Sequence, residues 1–170
     1  MATKFTGTLP TLKHPLKVEF VNHLGENGHW DFPEQMGVGG YVGFIYVIYD
    51  NYLDKAYLGK KNYFGAGALN KGKESNWKKY TSSSKALNEN IAARPRDQFE
   101  FYCLEQYKAK GALAYAETWS LCMVEAPTSK QWYNTLIEKV SWAVREPVSE
   151  RHKLRLLTFK ERLQRARNPS

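Results

Sequence analysis

The stretch Gly43-Phe44-Ile45-Tyr46-Val47-Ile48-Tyr49-Asp50-Asn51-Tyr52-Leu53-Asp54-Lys55-Ala56-Tyr57-Leu58-Gly59-Lys60-Lys61-Asn62 decides how this chain is read. Residues 42–49 are almost wholly β-branched or aromatic, and residues 56–58 resume that character. Asp50, Asn51 and Asp54 between them are turn formers. The pattern predicts a β-hairpin. If the hairpin is symmetric about the Asn51–Tyr52 bond, Tyr46 faces Tyr57 and Phe44 faces Gly59. Directly opposed residues share a sheet face, with Cβ atoms roughly 5 Å apart. Two phenols are therefore expected side by side, next to Gly59 and Lys60. An aromatic pair packing in an ordinary hairpin would carry the same pattern.

Outward from the hairpin, Phe99–Leu104 alternates as a third strand, and Gly111–Val124 reads as an Ala-rich helix. A serine of Ser82-Ser83-Ser84 caps a short helix that runs to about Ala93, and Pro95 closes it. Trp132-Tyr133-Asn134 leads into a helix ending near Val144. A last helix begins near Ser149. The expected fold is a small α/β domain, with a three-stranded, mainly antiparallel sheet flanked by helices. Residues 1–40 read as an irregular arm with a short strand at Lys17–Val21. Residues 41–135 form the central domain and 136–170 a basic helical extension.

The chain of 170 residues carries 25 Lys and Arg against 17 Asp and Glu, a net charge of +8. Such a balance points to a polyanionic partner. Residues 55–85 hold eight lysines and one acid, Glu74, a net +7 interleaved with Tyr57, Tyr63, Phe64, Trp77 and Tyr80. Lysines neutralise phosphates and aromatic rings pack on sugars or bases. A solvated charged face is the plain alternative, but the opposing charge that would mix such a surface is nearly absent. In the last helix Leu154, Leu157 and Leu163 suggest a packed side, with Arg151, Arg155, Arg162 and Arg165 towards solvent or a polyanion. Its few aromatic residues favour DNA over a membrane surface.

Other patterns lose on inspection. Gly67, Gly72 and Lys73 match most of a phosphate-binding P-loop, yet Glu74 stands where a Ser or Thr hydroxyl is needed. A mobile basic loop is expected there. Gly37, Gly39, Gly40 and Gly43 precede a strand rather than follow one, so they are a flexible lead-in. His14, His23 and His29 have no zinc-type spacing and are expected to be surface or packing residues. Cys103 and Cys122 sit in apolar surroundings, as reduced core residues of a cytosolic protein would. No apolar run approaches the length of a membrane span, and the start, Met-Ala-Thr-Lys-Phe, lacks a signal-peptide apolar region.

Glu117 is the informative charge. It is alone in the helix before Glu125, with Leu113 and Leu121 four residues either side on the same face. A carboxylate in an apolar stripe needs a partner. A metal ion, a base partner or a lysine would serve.

These residues resemble the GIY-YIG nuclease superfamily. Phe44-Ile45-Tyr46 stands for its first motif and Tyr57-Leu58-Gly59 for its second. Glu117 matches the glutamate of the later helix, and Tyr133-Asn134 the Tyr-Asn that follows. The resemblance covers residues 41–135. Lys60-Lys61 and the Trp77-Lys78-Lys79-Tyr80…Ser-Ser-Ser-Lys85 segment look most like phage-encoded Seg-type members. One position departs: Asn76 stands where the family usually has an arginine, with Tyr80 four residues on. Lys60, Lys61 or Lys78 could supply the missing charge.

The resemblance implies a metal-dependent DNA endonuclease in the cytoplasm of a bacterial or phage-infected cell, acting on DNA that is expected to be double-stranded. Glu117 would hold one Mg²⁺ or Mn²⁺. Tyr46 would position or deprotonate the attacking water, with nearby lysine charge lowering its pKa. Tyr57 would orient the water or the phosphate, with Lys60 and Tyr80 beside it. Asn134 would tether helix and loop around the site. Lys61, Lys71, Lys73, Lys78, Lys79, Lys85, Arg155 and Arg162 are the expected DNA contacts. The alternative is a DNA-binding protein that keeps the fold without turnover. A basic scaffold or inhibitor of a protein or membrane partner is a third reading.

Overall fold

The computed structural model describes residues 25–137 and 146–167. Three strands, β1 (Gly43–Asp50), β2 (Lys55–Asn62) and β3 (Phe99–Tyr107), form an antiparallel sheet in the order β2-β1-β3. Three helices flank it: α1 (Lys85–Ala93), α2 (Lys110–Met123) and α3 (Glu150–Arg167). The central strand β1 is buried along its whole length, as its unbroken apolar and aromatic run requires. The Lys17–Val21 strand and the helix expected up to Val144 fall mainly on residues outside those described.

The hairpin register differs from the symmetric expectation. Tyr46 pairs with Gly59, Ile48 with Tyr57 and Phe44 with Lys61. The Asp50 side chain is the cause. Its Oδ1 accepts from the amides of Tyr52 and Leu53, both at 3.1 Å, and Asp54 closes the loop in the left-handed region at φ +48°. The loop is thus four residues, 51–54, and each pairing moves by two. A two-residue shift leaves every side chain on its own face. Tyr46 and Tyr57 accordingly remain on one face, as diagonal rather than opposed neighbours, with ring centroids 6.0 Å apart.

The sheet is covered on both faces. Ile45, Val47, Tyr49, Leu58, Tyr102 and Leu104 meet α2 and α3. Phe44, Tyr46, Ile48, Tyr57, Phe101 and Cys103 meet Trp30, Phe32, Met36, Trp77 and Leu87 of α1. Ser84 caps α1 by accepting from the Leu87 amide. Ser149 caps α3 by accepting from the His152 amide at 3.1 Å.

Both outer strands would expose unpaired backbone groups, the usual liability of sheet edges. On β3, Asp31 donates to the Phe101 carbonyl at 2.8 Å and accepts from the Cys103 amide at 3.1 Å. On β2 the partners change along the strand. Ala56 donates to the Gln131 carbonyl and accepts from the Tyr133 amide, at 2.8 and 2.7 Å. Leu58 is held by the Asn134 carboxamide, and the Lys60 amide donates to Glu117 Oε1 at 3.2 Å. Ser75 Oγ donates to the Asn62 carbonyl at 2.6 Å.

The basic last helix does not present its arginines to solvent as expected. Arg162 donates to Glu100 at 2.5 Å and to Asn51, and its guanidinium stacks 3.6 Å from the Tyr49 ring centroid. Arg155 lies against Asp31, and Arg151 forks to Glu105 and Glu34. Only Arg165 of the four is exposed. The reason is apolar: Leu156, Phe159 and Leu163 of α3 are buried on the sheet, and the arginines flanking that stripe reach the buried Glu100 and Glu105, the half-buried Asp31 and the exposed Glu34. Leu154 and Leu157, read as packed, are exposed instead.

Candidate active site at the edge of strand β2

A cleft of about 620 Å³ opens where the backbone pairing of β2 ends. Tyr46, Tyr57, Lys60, Tyr80, Lys85, Glu117 and Asn134 line it, together with Ser83, Tyr133 and Thr135. Residues of six separate segments thus converge on one hollow. They reach it because β2 is an outer strand. Tyr46 and Tyr57 approach from the α1 face, Lys60 and Glu117 from the α2 face.

Each side chain has a definite support. Tyr57 shares a hydrogen bond with Ser83 Oγ at 2.9 Å, so the serine run that begins α1 also fixes a phenol. Tyr46 is buried and stands 6.1 Å from Tyr80, ring to ring and edge-on, and 4.8 Å from Trp30. Burial pushes its pKa well above that of an ordinary phenol. Tyr57, Tyr80 and Glu117 act in the same direction. The direction is opposite to the lowering by lysine that was expected, because burial dominates.

That engagement answers the question posed by a carboxylate between Leu113 and Leu121. The Glu117 side chain is 13 % exposed and the Lys60 side chain 27 %. Lys60 donates to it twice, from its backbone amide to Oε1 and from its ammonium to Oε2. Of the three partners a buried Glu117 could have taken, a lysine fills the place.

Asn134 is consumed by a structural task. Its Oδ1 accepts from the Leu58 amide at 2.9 Å and its Nδ2 donates to the Leu58 carbonyl at 2.7 Å. The carboxamide thus imitates a neighbouring strand and ties the 131–134 segment to β2. Its neighbour Tyr133 donates to Asp50 Oδ2 at 2.7 Å and accepts from Asn90 Nδ2 at 3.1 Å. Arg94 also pairs with that Asp50 oxygen.

Tyr80 is placed by His29, expected as a surface or packing residue, and its segment by Trp30, which carried no sequence signal. His29 Nε2 donates to the Tyr80 carbonyl at 2.8 Å, Nδ1 faces Arg96 at 2.6 Å, and Trp30 Nε1 donates to the Trp77 carbonyl at 2.7 Å. His29 is thus a packing residue. Asn76 accepts from Lys61 Nζ at 2.9 Å, and that ammonium sits 4.0 Å over the Tyr80 ring. Of the other expected DNA contacts, Lys85 is on the cleft rim, and Lys71, Lys73 and Lys79 are exposed outside it. Lys78 is half-buried beside Trp77. Arg155 and Arg162 are not in this group.

Residues 29–137 match the family model described as "Putative endonuclease segE, GIY-YIG domain". The chain belongs to this GIY-YIG endonuclease family. The match begins at His29 and includes Trp30, in keeping with the support those residues give to Trp77 and Tyr80. It ends at residue 137, before α3. No curated protein and no solved structure matches the chain.

Among the described residues that line the cleft, Glu117 is the acid that can meet a cation. Among the described residues no three His, Cys, Asp or Glu gather as a metal group. An ion at Glu117 would therefore take its other ligands from water and phosphate. Magnesium commonly binds in that way, through one or two carboxylates plus substrate oxygens, so Glu117 fits such an ion.

Proposed function

We propose that this GIY-YIG domain is a metal-dependent endonuclease that hydrolyses phosphodiester bonds of double-stranded DNA by attack of water. The observation that carries the reading is the convergence of Tyr46, Tyr57, Tyr80, Lys60 and Glu117 on one cleft, with Lys85 on its rim. Glu117 would hold the ion, Mg²⁺ or Mn²⁺. Once bound, the ion supplies positive charge to the phosphate oxygens and to the departing 3′ oxygen.

The remaining work falls to side chains. Tyr46, kept neutral by burial, acts as a hydrogen-bonding group that aligns the attacking water rather than as a free phenolate. Tyr57, braced by Ser83, orients the phosphate. Lys60, Lys61 and Lys85 offer point charges to the non-bridging oxygens. Asn134 keeps the cleft wall in register with β2.

Plasmid nicking with and without Mg²⁺ tests the proposal. Wild type is expected to nick only with the ion. Glu117→Gln should bind DNA and fail to cut, and so should Tyr46→Phe. Near-normal nicking by Glu117→Gln would overturn the metal-ligand assignment. Salt-sensitive DNA binding without nicking by wild type would leave the alternative, a DNA-binding protein that keeps the fold. The closure of Glu117 by Lys60 is the observation in its favour.

A further inference from the structure

Lys60 meets Glu117 with two groups. The Lys60 amide on Oε1 is fixed, because Lys60 pairs with Ile45 inside the sheet. The Lys60 ammonium on Oε2 is different in kind. It hangs on a four-carbon stem and is part-exposed to the cleft, so it can leave without any backbone change. Its two possible anions differ as well. Glu117 is always present, whereas a phosphodiester is present only with substrate. Lysine is a compact point charge with three rotatable donors and no preferred planar partner, which suits transfer between two anions.

We propose that the Lys60 ammonium is an exchangeable counter-ion that holds the place of the divalent cation on Glu117 until DNA arrives. Resting on the proposed metal role of Glu117, it adds a sequence of events. Entry of a phosphate draws the ammonium off Oε2, and the carboxylate is then open to a cation. No covalent bond forms or breaks in this exchange: a dication takes the place of a single positive charge at the carboxylate, and the ammonium moves to the phosphate. Metal and DNA must then bind with positive coupling, and by linkage each tightens the other by the same factor. Without DNA the cation has to compete with a tethered ammonium, so the free protein binds metal weakly. Glu117 also keeps a partner throughout, as a carboxylate beside Leu113 and Leu121 requires.

Mn²⁺ binding, read from the electron paramagnetic resonance of the free ion, tests this without reference to cleavage. It would be measured on wild type, Lys60→Met, Lys60→Arg and Glu117→Gln, each with and without a duplex carrying non-hydrolysable phosphate linkages. Lys60→Met keeps the length of the stem and removes the charge. It is expected to tighten Mn²⁺ binding in the absence of DNA by about tenfold or more, and to lose most of the coupling to DNA. Lys60→Arg, which restores a cation, should bind Mn²⁺ as weakly as wild type when DNA is absent. Equal Mn²⁺ affinity of wild type and Lys60→Met without DNA would overturn the exchange. Unchanged Mn²⁺ binding by Glu117→Gln would instead overturn the metal assignment on which it rests, so the two failures are distinct. Circular dichroism and a thermal melt of each variant establish that the folded protein is being compared.

Discussion

Tyr46 and Gly59 stand opposite each other on β1 and β2, and a Cβ on Gly59 would lie 2.6 Å from the Tyr46 hydroxyl and 2.8 Å from its ring. The Tyr57 ring would be 2.9 Å away. Gly59 is thus the floor on which both phenols rest. Its lack of a side chain is required by packing rather than by backbone conformation. Gly59→Ala should displace the phenols and reduce nicking by about 100-fold, the scale expected for an ångström of misplacement at a reacting centre. The overpacking should cost about 1–3 kcal/mol, read from a denaturant melt. Normal nicking by a folded Gly59→Ala protein would show that the Tyr46 hydroxyl need not be where it lies.

Asn134 offers a second test, because its two hydrogen bonds complete a strand edge. Asn134→Ala leaves the buried Leu58 amide and carbonyl without partners. A stability loss of about 2–4 kcal/mol is expected, with nicking reduced at temperatures where the protein remains folded. Asn134→Asp keeps the acceptor but puts charge beside the Leu58 carbonyl, so it should lose at least as much. Activity loss in Asn134→Ala with an unchanged melt would mean that the carboxamide acts on substrate instead.

Stability should fall on mild acidification. Burial lowers the pKa of His29 to about 3 and of His152 to about 4, from the model-compound 6.5. Arg96 adds to the effect on His29. His152 lies fully buried between the Tyr107 hydroxyl at 2.8 Å and Ser120 Oγ at 2.6 Å. Both histidines are therefore neutral in the folded chain while the unfolded chain takes up protons. Their contribution is complete above about pH 6.5 and is lost as pH falls towards 4, because the unfolded state binds more protons there. For His152 the loss by pH 4 is about 3 kcal/mol at roughly 1.4 kcal/mol per unit. Melts between pH 7.5 and 4.5 should show it, and His152→Gln should flatten part of the slope. An equal slope in that variant would exclude His152 as a source.

The basic residues divide into two classes by position. Lys71 and Lys73 are exposed. Replacing both with Gln should reduce the slope of log affinity against log salt by about 1.8, at roughly 0.9 per phosphate contact on duplex DNA. Arg162 is tied to Glu100 beneath α3, with side chains 10 % and 5 % exposed. Arg162→Gln should leave that slope unchanged while costing about 3 kcal/mol, as expected when one partner of a buried pair is removed. Deleting residues 149–170 strips α3 from the sheet and should unfold the protein rather than only weaken DNA binding. A stable truncated chain with a reduced salt slope would restore α3 as a DNA contact.

The sequence by itself determined the elements and the site residues that share them. Alternation of apolar residues is a local property. With apolar runs and capping residues, which are local too, it placed three strands, the Ser-capped α1 and the Ala-rich α2, and it put Tyr46 and Tyr57 on one face whichever of two registers the hairpin took. The isolation of Glu117 between Leu113 and Leu121 was legible too, as was its need for a partner. Which partner it took was not. Lys60 lies 57 residues from Glu117, and only the packing of α2 against the outer strand brings the two together.

The tertiary structure alone decided the rest. The register depended on where the Asp50 carboxylate bonded, since two loop lengths satisfy the same alternation. The ties of Arg151, Arg155 and Arg162 depended on Glu105, Asp31 and Glu100 lying beside them, with the exposed Glu34 as a second partner of Arg151. Helical spacing reports which residues share a face, but not whether that face meets water or a buried carboxylate. The support that Ser83, His29 and Trp30 give the site was silent for the same reason. Their bonds to Tyr57, Tyr80 and Trp77 span 26, 51 and 47 residues, and a pattern read along the chain carries no signal at those separations.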